Sequence, residues 1–464
     1  MAKAQRMSHA DAAWLHMDQP TNLMVITGVL WFDEPPDWDG VRERIKERMV
    51  ERFDRFRQRV AEGRAPLSGP HWEEDPKFDL DLHFHRVALP APGDSAALQA
   101  YVADLMASPL DRSRPLWHFH FVDGYGGGAA MVARIHHCIA DGIALGRVLL
   151  SLTDESPDAG IAPADDSAAR EDSGGPLKSL FRPAAKAASL ARDAAEALAH
   201  EAIEVGKDPS HLRDLAAEAR EDAAAVAKML TMPADPPTAL KGELGVAMRV
   251  AWSRPIRLDD VKAIGHATGT TVNDVLLTAV AGALRSYLDG RETRVEELTA
   301  VVPFNLRPLD QPLPSDLGNR FGLVYLALPV GIEDRRDRLN QVHSRMEQIK
   351  RSPEGAVSYG VLDAIGRTPV QIEKRLVDLF STKGSAVMTN VPGPRQPVYM
   401  AGTPVRGVLV WAPTSGGVSM SVAIFSYAGE VTMGVMTDAG LVPDPEKIIE
   451  AFEPELDSLE REAA

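Results

Sequence analysis

The alternation of apolar and polar positions divides the chain into two α/β halves joined by an alanine-rich middle. Residues 116–122 and 129–137 have the aromatic, small and β-branched character of buried strands and flank a glycine-rich turn, which predicts a hairpin. Residues 38–60 repeat apolar positions at helical spacing, and 143–152 place Val148, Leu149 and Leu152 on one side of a second helix. Residues 154–176 are rich in Pro, Asp, Ser and Gly and read as a linker. The stretch 177–232 spaces leucines among charges and predicts two helices broken near residues 206–209. From residue 243 a second unit begins, with a strand predicted at 246–252 and a helix at 261–268. Thr271 followed by Asp274 three residues later has the spacing of a capping box opening a long helix. Further strands are predicted at 297–302, 322–328, 386–390, 417–427 and 430–437. The division expected is 1–153, then 154–242 as linker and interdomain helices, then 243–464.

Bulk properties fit this organisation and exclude some functions. A chain of 464 residues exceeds what one hydrophobic core supports, and 45% hydrophobic residues make it globular. Fifty basic against 66 acidic residues give a net charge of −16, which argues against a general nucleic-acid surface. The lone Cys138 excludes an internal disulfide, and no apolar run follows the first residues, so a reducing cytoplasm is expected. No apolar run reaches the roughly 18 residues of a membrane span, so any lipid must be met peripherally, at a membrane or lipid droplet.

The candidate chemistry lies in His136-His137-Cys138-Ile139-Ala140-Asp141-Gly142, where a strand gives way to a helix. Successive strand side chains point to opposite faces, so only one of the two histidines can face a given cavity. An imidazole with a pKa near ~6.5 can take a proton from an alcohol and return it to a leaving group. Asp141 either holds a histidine tautomer or pairs with a distant cation. The run Gly124 to Ala129 joins two strands rather than a strand and a helix, so it is not a dinucleotide fingerprint. His83-x-His85 and His118-x-His120 place imidazoles on common strand faces, an arrangement commoner at sheet surfaces than at metal centres, and no metal is expected.

The His-His-x-x-x-Asp-Gly segment resembles the signature of the CoA-dependent acyltransferase superfamily, which includes condensation domains and chloramphenicol acetyltransferase-like folds. Pro115-Leu-Trp117, Asn273-Asp274, residues 302–308 around Arg307, Gly318-Asn-Arg-Phe-Gly322 and Thr389-Asn390-Val-Pro-Gly393-Pro394 narrow the resemblance to the bacterial wax ester synthase/diacylglycerol acyltransferase family. The opening Met7-Ser-His-Ala-Asp11-Ala-Ala-Trp-Leu15 is similar to that family's start. Residues 19–25 depart from its usual Pro-Met-His-type run near the presumed substrate channel, which bears on acceptor preference.

The resemblance implies two chloramphenicol acetyltransferase-like halves with mixed sheets flanked by helices and an active-site tunnel at their interface. It implies a fatty acyl-CoA co-substrate, a diacylglycerol or fatty alcohol acceptor, and no cofactor. By the same resemblance His137 is the general base and His136 a buried hydrogen-bonding residue. Gly142 leaves room for substrate, and Asp141 pairs with an arginine of the second half, with Arg307 as the candidate. Asn273 and Asp274 either position substrate or cap their helix. Pro115, Trp117, Thr389, Asn390 and Gly393 are expected at the channel. A different carrier or polar acceptor, as in condensation domains, and a non-catalytic lipid-binding or droplet protein are the competing expectations.

Overall fold

The computed structural model describes residues 5–63, 69–160, 232–307, 311–366 and 370–463. The helices predicted within 177–232 lie outside the described residues, apart from the last of them, Met232. The main strands in chain order are β1 (Val25–Phe32), β2 (Phe84–Ala88), β3 (Trp117–Tyr125), β4 (Gly128–His136), β5 (Met248–Trp252), β6 (Leu298–Asn305), β7 (Phe321–Leu328), β8 (Ala386–Pro392), β9 (Gly407–Trp411), β10 (Met420–Tyr427) and β11 (Glu430–Asp438). The helices are α1 (His9–Met17), α2 (Trp38–Ile45), α3 (Ser95–Met106), α4 (Gly142–Ser151), α5 (Leu258–Thr268), α6 (Val272–Asp289), α7 (Arg335–Arg351), α8 (Glu354–Ile365), α9 (Val370–Ser381) and α10 (Glu446–Ala463).

The predicted hairpin is β3–β4, turning at Gly126 and Gly127 with φ of 60° and 90°. Positive φ at both turn residues is what a two-residue hairpin loop needs and what glycine supplies without a Cβ penalty. Every residue of β4 is buried, because the strand lies inside a five-stranded mixed sheet of order β9-β1-β4-β3-β2. The second sheet has seven strands, ordered β7-β6-β8-β10-β11-β5 with Ile256–Arg257 added on β11, and its β6–β8 and β8–β10 pairs are parallel. α6, opened by the expected Thr271/Asp274 capping box, is buried along most of its length against this second sheet's core.

Three expectations need correction. Residues 38–60 do not form one helix. α2 passes into a wider turn at Lys46–Val50, and Gln58–Ala61 becomes a strand paired with His71–Glu74, since ladder pairing and the burial of Phe53 and Phe56 outweigh local helical periodicity. The ends of the supposed linker belong to the body. Asp154 is buried against Arg44 and Arg48 at 3.0 and 2.8 Å, while Leu240 is fully buried in the second core. Finally, β9 leaves the second half and pairs antiparallel with β1, completing the first sheet, so the halves do not separate at residue 243.

Candidate active site

His137 stands immediately after β4, where the chain leaves the sheet for α4. Two backbone bonds fix this exit: Leu116 O accepts from His136 N at 3.0 Å, and Met24 O accepts from His137 N at 2.7 Å. The second half closes over the loop through Gly318, whose N–H donates to Ile139 O at 3.1 Å and whose φ of 78° is open to glycine.

The bonds around Asn319 fix the state of the His137 ring. Its amide nitrogen donates to the carbonyl of His137 at 2.8 Å and to Asp11 Oδ1 at 2.7 Å; a carbonyl only accepts, so the amide cannot be reversed. Asn319 Oδ1 then faces His137 Nδ1 at 3.0 Å and must accept from it. The proton of the neutral ring therefore sits on Nδ1, and Nε2 carries the free lone pair. The ring is stacked on Trp14, with centroids 4.2 Å apart, and tilted against Phe321 at 5.2 Å. Burial is the main reason its pKa is pushed down to about 4, so the ring is neutral at physiological pH.

His136 takes a different environment on the opposite side. Its Nδ1 accepts from Cys138 N at 3.1 Å, and its Nε2 lies 3.7 Å from Asp18. Burial alone would raise the Asp18 carboxyl, but His136 and Arg112 hold it at about 2. Cys138 is fully buried and its thiol is pushed well up by that burial, which rules out a thiolate nucleophile there.

Asp141 caps α4 through Ala144 N at 2.8 Å, while its other oxygen accepts from Arg307 Nη2 at 3.1 Å and Arg320 N at 2.9 Å. Both members of the Asp141–Arg307 pair are buried, and Arg307 also donates to Gly318 O at 2.8 Å. Gly142 is exposed, and a Cβ built on it would meet nothing within 4 Å, so the mouth of α4 is open.

The other expected site residues fall elsewhere. Asn390 donates to Asn273 Oδ1 at 2.8 Å, forming a second group with no hydrogen bond to His137 among the described residues. Asp274 is wholly buried, capping α6 and bonding His343 at 2.7 Å, so capping is its role. Thr389 and Gly393 flank Asn390 on β8 and just past it, and a Cβ at Gly393 would strike Phe425 at 2.5 Å, which makes this a close crossover. Trp117 is not a channel wall: it is fully buried, donates to Phe56 O at 2.9 Å and stacks on His83. Pro115 is likewise buried just ahead of β3, two residues short of it. A cleft walled by Pro20, Asn22, Met106, Met248 and Thr414 does not include His137, which is 5% exposed. Asp11, Trp14, Asn319 and Phe321 were not singled out from the sequence, although they stand in the opening segment and in the Gly318–Gly322 segment.

Two mixed-sheet halves with a histidine at their seam define a condensation-domain-like acyltransferase fold. The first condensation domain of the calcium-dependent antibiotic synthetase matches it with a TM-score of 0.58 at 15% identity, over 100% of this chain and 96% of that one. The wax ester synthase/diacylglycerol acyltransferase from Marinobacter aquaeolei VT8 matches with a TM-score of 0.69 at 24% identity, over 99% of this chain and 100% of that one. The chain belongs to the wax ester synthase/diacylglycerol acyltransferase family, whose catalytic domain matches residues 7–276 and whose C-terminal domain matches 317–460. A probable diacylglycerol O-acyltransferase of Mycobacterium tuberculosis (strain ATCC 25618 / H37Rv) is 30% identical over 426 residues, 90% of this chain and 87% of that one.

Proposed function

We propose that this acyltransferase esterifies diacylglycerol, a long-chain alcohol or both with a fatty acyl group from acyl-CoA, using His137 Nε2 as general base. The carrying observation is the Asn319–His137 bond, which with burial leaves a neutral ring whose free lone pair is on Nε2. Nε2 takes the proton of the acceptor hydroxyl as its oxygen attacks the thioester carbonyl. The tetrahedral oxyanion then collapses, the carbon–sulfur bond breaks, and the CoA thiolate takes the proton back from the imidazolium. No covalent acyl-enzyme is needed, and the buried neutral Cys138 thiol supplies no rival nucleophile. Among the described residues no helix is long and apolar enough to cross a membrane, so we read the lipid acceptor as met at a membrane or droplet surface.

The test mixes the purified chain with labelled palmitoyl-CoA and either dioleoylglycerol or hexadecanol, following thiol release and ester formation together. Ester should form with equal thiol release, and His137→Ala should lower turnover by roughly 10²–10⁴-fold. Lipid binding without turnover favours a non-catalytic protein, and no ester from palmitoyl-CoA but ester from a palmitoyl thioester of an acyl carrier protein points to another carrier.

A further inference from the structure

Outside the active site, three of the four histidines of the His83-x-His85 and His118-x-His120 pairs converge, while His83 ends a short 3-10 turn ahead of β2 rather than lying on its face. His85 of β2 pairs directly across the parallel ladder with His120 of β3, and His118, two residues earlier, shares His120's face of the sheet. One ring nitrogen from each of the three lies within 4.8 Å of the others, and the His85 ring centroid is 4.7 Å from that of His118 and 4.8 Å from that of His120. The fourth, His83, is turned away, bonding Trp117 O at 2.7 Å.

We propose that His85, His118 and His120 form a three-imidazole site for one divalent transition-metal ion of borderline character, of which Zn²⁺ is the test case. The His120 ring supplies the second observation. Tyr101 Oη is 2.8 Å from His120 Nδ1, while Nε2 is buried without a hydrogen-bond partner among the described residues. With Nδ1–H donated to the phenol oxygen, the partnerless Nε2 presents its lone pair, the arrangement of a metal-binding histidine held by an outer partner. Zn–N bonds of about 2.0–2.1 Å set ligand nitrogens roughly 3.4 Å apart in a tetrahedron, so binding draws the rings together by side-chain rotation. The fourth position is left for water or an anion. An anion suits the setting, since the Arg134 guanidinium bears on all three rings and Arg114 on His118. Held there, the ion would tie edge strand β2 to β3 without entering the chemistry at His137.

The experiment titrates untagged, chelator-stripped protein with Zn²⁺ in competition with a chromophoric chelator and follows the melting temperature in parallel. One equivalent should bind per chain and raise the melting temperature. His85→Gln and His118→Asn should each weaken binding at least tenfold, while His266→Gln, on the exposed side of α5, should not. Cobalt(II) in the unvaried chain gives a readout that needs no variant: intense visible bands of a four-coordinate, nitrogen-ligated ion support the site. Weak six-coordinate bands, no uptake at micromolar zinc, or equal uptake by the wild type and both cluster variants overturn it.

Discussion

At the scale of single residues, the proposed general-base role of His137 depends on which ring nitrogen holds the proton, and that is set by the Asn319 amide, 182 residues away in the chain. Asn319→Ala removes the acceptor for Nδ1–H and lets the ring take the unproductive tautomer or turn about its axis. Turnover should fall by about 10–100-fold with the KM for acyl-CoA little changed, a split read by steady-state kinetics. Asn319→Asp places a carboxylate against Nδ1–H and favours the imidazolium, so the acid limb of kcat/KM should move to higher pH than in the wild type. In the wild type the ring's pKa of about 4 lies below the ordinary histidine value of 6.5, so the base form persists well below neutrality and is lost as pH falls through about 4. The same depression links to folding. The neutral buried ring contributes full stability above pH 6.5, and that contribution is lost as pH falls from 6.5 towards 4. Urea unfolding from pH 7 to pH 5 should therefore show a shallower stability loss in His137→Gln; an identical slope would refute the assigned burial effect.

At the scale of elements, the Asp141–Arg307 pair fastens α4 to the segment after β6 across 166 residues of sequence. Removing the guanidinium leaves a buried carboxylate with only its cap and the Arg320 amide. Arg307→Ala should cost about 3–5 kcal/mol in chemical denaturation and loosen the catalytic loop. A variant that melts with the wild type and stays active would show the pair to be dispensable. The features legible at this scale were short-range ones. The β3–β4 hairpin follows from glycines at the turn, and the α6 capping box from a Thr–Asp spacing of three, because both are fixed by residues a few positions apart. Residues 38–60 were misread for the converse reason: strand pairing of Gln58–Ala61 with His71–Glu74 is a non-local gain that helical periodicity does not encode.

At the scale of the whole molecule, β9 carries a strand of the second half into the first sheet, and one cooperative unfolding transition is expected. Gly407 permits this crossing, since a Cβ there would lie 2.2 Å from the Trp31 ring. Gly407→Ala should destabilise the chain by about 1–3 kcal/mol, the usual cost of overpacking, and the loss should appear in one transition shared by near-ultraviolet and far-ultraviolet circular dichroism. Two separate transitions would mean that the halves melt independently.

The α/β class, the strand-to-helix placement of His136, His137 and Asp141, and the family are legible in the amino-acid order alone, because they are carried by contiguous residues and their local periodicity. It took the packed chain to place Asp11, Trp14, Asn319 and Phe321 around the His137 ring, Trp117 in the core, β9 across to the first sheet, and His85, His118 and His120 together. Each of those outcomes is a contact between segments tens to hundreds of residues apart. Such contacts are selected by burial and hydrogen-bond satisfaction in the packed chain, and no local pattern records them.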